Sequence, residues 1–160
     1  MEICTGYEPG VIGRVVELHG IYYTKTWNFT AFFEAKVATE LAAFAQYYTP
    51  EEDGFWWVKK NNRLEGSIVI TGRNAYEEGA HLRWFIMSEA IRGQGLGNQL
   101  ISKAVEFCKE KNYPSVQLWT FSELHAAKKL YEKVGFKLAK EQIGTQWGVE
   151  VIEQQYILDF

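Results

Sequence analysis

The sequence predicts an α+β fold, with one mixed, mostly antiparallel central sheet flanked by helices. Three observations carry that reading. Apolar residues recur at helical spacing in two consecutive segments near the N-terminus, ahead of most of the strands. The period then shortens to β-type runs separated by turn residues. A single strand–helix–strand pattern in the second half makes one crossover, which places one parallel pair in an otherwise antiparallel sheet.

Taken in order, the elements read βααβββαβαββ. Glu2 to Tyr7 forms a first strand, closed by Pro9-Gly10. Ile12, Val15, Val16 and Leu18 recur at helical spacing in a segment running to Tyr23. A second helix spans about Thr30 to Tyr47, with Phe33, Val37, Leu41 and Phe44 on one face, and Thr49-Pro50 stops it. Phe55 to Lys59 and Leu64 to Thr71 are strands around an Asn61-Asn62 turn, and Gly72 to Gly79 is a polar connection. His81 to Met87 is the next strand, Leu96 to Lys111 an amphipathic helix, and Val116 to Phe121 a strand. Glu123 to Val134 is a short helix, followed by strands at Gly135 to Lys140 and Glu150 to Phe160.

A chain of 160 residues with 47% hydrophobic content has enough apolar material for one core, so a single domain over residues 1–160 is expected. Net charge is -3, and the basic residues form no run longer than Lys59-Lys60 or Lys128-Lys129, which argues against binding to a nucleic-acid backbone. The N-terminus "MEICTGYEPG" carries no leader pattern, and no stretch approaches the roughly 20 apolar residues of a membrane span. No membrane contact and a cytoplasmic location are expected. Cys108 shares a helical stripe with Leu100, Ile101, Ala104 and Phe107, which marks it as a packing residue. Aromatic residues make up 16% of the chain and crowd between Tyr22 and Phe33. They fill a small core, or some of them wall a pocket for an apolar or aromatic substrate.

The densest chemical signal is "MSEAIRGQGLGNQLI", in which Gly93, Gly95 and Gly97 alternate behind Arg92 where a strand gives way to a helix. Glycines there permit a tight turn and close approach of a ligand to the main chain, and the free N–H groups of the first helical turn form an anion site suited to a pyrophosphate. A Walker loop is excluded because Gly97-Asn98-Gln99 lacks the Lys-Ser/Thr ending. A dinucleotide loop is excluded by the glycine spacing and the strand order. What is left is Arg-x-x-Gly-x-Gly, at Arg92, Gly95 and Gly97.

With the helix behind this loop and "LYEKVGF" downstream, the stretch from Phe85 to Phe136 resembles the coenzyme A binding core of the GNAT superfamily of N-acetyltransferases. The order of elements extends the resemblance over nearly the whole chain. The N-terminal "GYEPGVIGRVVELHGIYY" is further similar to acetyltransferase domains often fused behind a MarR-type repressor, here read as stand-alone. The resemblance implies acetyl-CoA as cosubstrate and a sheet splayed at the cofactor-binding strand. It assigns the phosphate loop to Arg92, Gly93, Gln94, Gly95, Leu96 and Gly97, and the pantetheine strand to Phe85, Ile86 and Met87. Where many members place an asparagine, this chain has "WTFSELHAAKKLY", and Ser122 stands in for part of that bonding.

Acetyl transfer to an amine needs a group that removes a proton and one that stabilises the departing sulfur, because an alkylammonium has a pKa of about 10.4 and a thiol about 8.5. The resemblance gives the second role to Tyr131, whose neutral phenol can donate to a leaving thiolate. His81, on the same strand face as Arg83, is the candidate base, with Glu17, His19 and Glu34 as alternatives. Direct attack within a ternary complex needs no nucleophilic side chain and no metal. The expected function is therefore N-acetyl transfer to a primary amine of a small molecule or peptide, with a non-catalytic acyl-CoA binding module as the alternative. The exposed edge of a C-terminal strand such as "EQQYILDF" is where a homodimer would form.

Overall fold

The computed structural model describes all residues, Met1–Phe160. Seven strands form one sheet: β1 (Glu2–Thr5), β2 (Gly54–Lys60), β3 (Arg63–Thr71), β4 (Ala80–Met87), β5 (Ser115–Phe121), β6 (Lys137–Gly144) and β7 (Val151–Asp159). Their spatial order is β1-β2-β3-β4-β5-β7-β6, antiparallel throughout except for the parallel β4–β5 pair. The helices are α1 (Val11–Trp27), α2 (Ala31–Gln46), the one-turn α3 (Ala75–Glu78), α4 (Leu96–Glu110) and α5 (His125–Lys133). No helix is long and apolar enough to cross a membrane.

The predicted α+β sheet is present, and its departures from expectation are local. The β2–β3 turn is the anticipated Asn61-Asn62, both residues left-handed at φ 52° and 58°, the conformation that asparagine tolerates best among residues with a Cβ. The first helix runs on to Trp27, where Asn28 at φ 59° caps it and donates its N–H to the Thr24 carbonyl. The polar connection after Thr71 holds α3, whose Ala75 is buried. The penultimate strand begins at Lys137 and extends to Gly144, beyond the expected Lys140, because its polar residues pair with β7 while exposed. That pairing overturns the expected dimer edge. The strand bearing "EQQYILDF" is β7, which lies between β5 and β6 with both edges bonded. The free edge on this side of the sheet is β6, blunted by Lys137, Lys140 and Glu141.

Each face of the sheet has its own core. On one face, Leu96, Leu100, Ile101, Ala104, Val105 and Cys108 of α4 form the buried stripe that its helical spacing dictates, packed with Val58, Ile68, Ile70 and Leu118 of the strands. On the other, Val11, Val15 and Leu18 of α1 and Phe33, Val37 and Leu41 of α2 cover Trp57, Val69 and Trp84. Leu100 and Val15 are completely buried, and truncating a core leucine of this kind costs about 2–5 kcal/mol.

A candidate active-site cavity at the parting of two strands

β4 and β5 pair only at Ala80↔Val116 and His81↔Gln117. Beyond those residues the strands part, while the other edge of β4 stays paired with β3 up to Met87. The β5-facing edge of β4 therefore carries main-chain groups with no strand to receive them. A cavity of about 890 Å³ opens in this gap, lined mostly by hydrophobic residues.

One extra residue in β4 shapes the gap. Val69 pairs with Arg83 and Ser67 with Ile86, so Trp84 and Phe85 together face Ile68 as a bulge. Trp84 lies at φ 46°, a left-handed conformation that costs a bulky residue on the order of 1–3 kcal/mol. Ser67, itself fully buried, holds it by donating its hydroxyl to the Trp84 carbonyl at 2.8 Å, and the Arg83 guanidinium stacks on the indole at 4.3 Å. The bulge reverses the strand's facing. Ala80 and Leu82 pack with the α4 core, whereas Trp84 and Ile86 pack with α1 and α2, which turns Phe85 and Met87 toward the α4 side.

At the C-terminal end of β4 the chain passes through a short 3-10 turn, Glu89–Ile91, into the glycine loop. Gly93 and Gly95 are left-handed at φ 75° and 76°, and a Cβ on either would meet nothing within 4 Å. Side chains are excluded there by the backbone conformation, and the space they would take is open. The first helical bond of α4 runs from the Gln99 N–H to the Gly95 carbonyl, so the amides of the preceding turn have no intrahelical acceptor. They sit at the positive end of the helix dipole, beside Arg92. Arg92 donates its Nε–H to the Met87 carbonyl at 3.1 Å and stacks over Tyr22 at 4.9 Å.

The structure brings most of the anticipated residues into the wall of one cavity: His81, Phe85, Ile86, Met87, Arg92, Gly93, Gly95, Leu96, Gly97 and Tyr131. Gln94 and Ser122 are not part of that wall. The Ser122 N–H is tied to the Ile152 carbonyl at 3.0 Å. Tyr131 of α5 lies across from β4, its ring centroid 6.1 Å from that of Phe85, and burial pushes its hydroxyl pKa well above 10, with Tyr23 adding to the rise. His81 is held below the usual histidine range by burial first and by Arg83 second, against an opposing pull from Glu78. It is neutral at pH 7.

Of the alternative bases, only His19 reaches the cavity. Glu17 is engaged on the outer surface with Arg14 and Arg63, and exposed Glu34 packs where Gly20 leaves room for it. Several wall residues carried no sequence signal: Lys36 and Glu40 of α2, Thr120 of β5, and Gln146 and Trp147 of the β6–β7 turn. The Thr120 hydroxyl and the Trp27 indole N–H are buried without a hydrogen-bond partner in the protein. No group of three or more His, Cys, Asp or Glu side chains is arranged to hold a metal ion.

A sequence model of the acetyltransferase (GNAT) family matches residues 14–136. The chain belongs to the GNAT family. The human N-acetylaspartate synthetase is 34% identical over 119 residues, 72% of this chain and 38% of that protein. An uncharacterised N-acetyltransferase from Methanocaldococcus jannaschii is 25% identical over 121 residues, 73% of this chain and 54% of that one. The chain thus spans about two fifths of the length of the synthetases it matches.

Among solved structures, a GNAT family acetyltransferase from Staphylococcus aureus Mu50 superposes with a TM-score of 0.77 at 17% identity, covering 99% of both chains. A Bacillus anthracis protein described as a streptothricin acetyltransferase, solved with acetyl coenzyme A, superposes with a TM-score of 0.60 at 25% identity, covering 73% of this chain and 68% of that one. The GNAT fold of this chain is a mostly antiparallel sheet with one parallel pair, and the two strands of that pair are the ones that part.

Proposed function

We propose that residues 1–160 form one acetyltransferase domain, which moves an acetyl group from acetyl-CoA to an amino group of a small molecule or peptide by direct attack. The observation that carries this reading is the pairing of unbonded amides at the α4 N-terminus with the unpaired edge of β4. The first suits a pyrophosphate and the second an extended amide-bearing arm, as in coenzyme A. The open space at Gly93 and Gly95 fits the same group. The names of the N-acetylaspartate synthetases and of the other N-acetyltransferase relatives support nitrogen as the acceptor atom.

In this reading the amides of Gly93 to Gly97 hold the pyrophosphate, and Phe85, Ile86 and Met87 line the arm. Acetyl-CoA supplies a carbonyl activated as a thioester, together with its sulfur leaving group. His81, neutral at pH 7, accepts the proton of the acceptor ammonium. Tyr131 donates a hydrogen bond to the sulfur as negative charge develops there. Because its pKa is raised further above a thiol's value of about 8.5, hydrogen bonding rather than full proton transfer is its contribution. Cys108, fully buried with its thiol pushed up to about 12, takes no part.

The test is thermal unfolding with acetyl-CoA against an adenosine diphosphate control, followed by thiol release with a panel of amines. Acetyl-CoA at about 100 times its dissociation constant adds about 2.7 kcal/mol, a rise of about 5 °C or more for a domain of this size. Tyr131→Phe should then lower kcat at least about tenfold, which is about 1.4 kcal/mol of transition-state stabilisation, with acetyl-CoA affinity unchanged. No melting shift at millimolar acetyl-CoA would reject the function, and unaltered kcat in Tyr131→Phe would remove that residue from it.

A further inference from the structure

The cavity wall is chemically lopsided. Much of it is rings: Tyr23, Trp27, Phe29, Phe33, Phe121 and Trp147. They pack as one cluster, with centroids 5.0 Å apart for Phe29–Phe33, 5.6 Å for Trp27–Phe121 and 5.8 Å for Phe121–Trp147; Tyr23, Trp27 and Trp147 are its partly exposed members, backed by the buried Phe29, Phe33 and Phe121. Against these rings stands one polar cluster, where α2 meets the start of β4. Arg83 donates from Nη2 to Glu40 Oε2 at 2.8 Å, and Lys36 donates from Nζ to Glu40 Oε1 at 3.2 Å.

One carboxylate therefore serves two cations, and each of the three side chains remains about a third exposed, at 31–35%. The cluster carries an unmatched positive charge. The only other acid in the wall is Glu123, beyond β5 at the start of the turn into α5, and the remaining arginine, Arg92, belongs to the glycine loop. Arg83 is also pre-set for a ligand. Its guanidinium is braced flat on Trp84, and the bond through Nη2 leaves most of its five N–H donors free.

We infer that the acceptor is an amino acid whose carboxylate docks on Arg83 and Lys36 and whose large apolar side chain lies against the ring surface. This deepens the acetyltransferase reading and rests on it. A guanidinium fork matches a carboxylate with paired charge-assisted bonds, whereas a simple amine leaves the positive charge uncancelled and a polyamine meets repulsion. In an α-amino acid the nitrogen is one carbon from the carboxylate. Arg83 and His81 lie two residues apart on one strand face before the bulge, about 7 Å along the strand. A carboxylate on Arg83 thus puts the amino group within reach of the His81 imidazole. A second carboxylate on the side chain finds no cation in the ring surface, so aspartate is a poor acceptor here.

The experiment measures thiol release by the full chain at saturating acetyl-CoA, for L-phenylalanine and L-tryptophan against their decarboxylated twins, 2-phenylethylamine and tryptamine, and for L-aspartate. The amino acids should exceed the twins in kcat/KM by about 30-fold, the worth of a hydrogen-bonded charge pair. Arg83→Met should remove about that factor through KM, Arg83→Lys should restore part of it, and Lys36→Met on the open face of α2 should give a smaller loss. The acetyl-CoA melting shift should survive in Lys36→Met and in Arg83→Lys, which keeps a cation beside Trp84. Twins used as well as the amino acids would overturn the inference. So would absence of release from both aromatic amino acids by a protein that acetyl-CoA still stabilises. Absence of that stabilisation in the unmodified protein would reject the acetyltransferase reading itself.

Discussion

Lowering the pH from 7 to 5 should destabilise the protein by about 2 kcal/mol more than it destabilises His19→Gln. His19 is 4% exposed, and its ring nitrogen Nδ1 sits 2.7 Å from the Val15 carbonyl, so Nδ1 carries the hydrogen and Nε2 is bare. Burial lowers its pKa from 6.5 to about 4, against the opposing pull of the Val15 bond. The folded value lies below the unfolded one, so the unfolded chain takes up the proton first. The contribution is near zero above pH 6.5 and grows as a penalty on the folded state down to pH 4, so stability rises with pH through that window. A difference of 2.5 units amounts to about 3 kcal/mol in full, of which about 2 kcal/mol is reached at pH 5. For this chain length that is a fall in Tm of about 4–8 °C. Urea or thermal melts of both proteins at the two pH values provide the measurement, and His81, His125 and the carboxylates cancel in the subtraction. Equal losses, within about 0.5 kcal/mol, would mean that the folded protein accommodates the charged imidazole, and the burial argument would be wrong.

Gly95→Ala meets no atom within 4 Å, so its cost is the left-handed backbone alone, about 1–2 kcal/mol; the loop relaxes, and the acetyl-CoA melting shift should fall by more than half. An undiminished shift would mean the loop amides do not hold the phosphates. Ser67→Ala leaves the Trp84 carbonyl without its 2.8 Å donor, which should cost about 1–3 kcal/mol and, by loosening the bulge, weaken acetyl-CoA in titration calorimetry. A dissociation constant equal to that of the unmodified protein would uncouple the bulge from the cofactor. Cys108 is fully buried with its pKa pushed up to about 12, so a disulfide reagent at pH 8 should titrate at most Cys4 in the native protein and both thiols after denaturation; two rapid equivalents would refute the packing role.

The order of elements was legible because each depended on a periodic signal that tertiary packing reinforces. The α4 stripe from Leu96 to Cys108 and the Asn61-Asn62 turn are local statements, and they appear where they were expected. Sheet order was not local. The strand "EQQYILDF" reads as an edge because it ends the chain, yet β6 folds back outside it, and nothing in eight residues of strand says which neighbour arrives last. Likewise the glycine loop announces itself by composition, while Lys36 and Glu40 read as an ordinary i, i+4 pair on a solvated helix face. Only the contact with Arg83, 43 residues on, gives that pair a place in the cavity.

The bulge at Trp84 is the deepest of these omissions, because it is invisible twice. Burial alternates without a fault from Ala80 to Met87, as any regular strand would show. A tryptophan at φ 46° has no sequence signature, since the conformation is imposed by Ser67 and the surrounding core. Yet the two halves of the site depend on it. The partly exposed residues of β4 are all odd-numbered, and without the extra residue His81, Arg83, Phe85 and Met87 would share one face. With it, His81 and Arg83 stay on the α2 side while Phe85 and Met87 turn to the α4 side, where Phe85 meets Tyr131. One strand thus serves both sides of the gap, and a left-handed tryptophan divides its side chains between them.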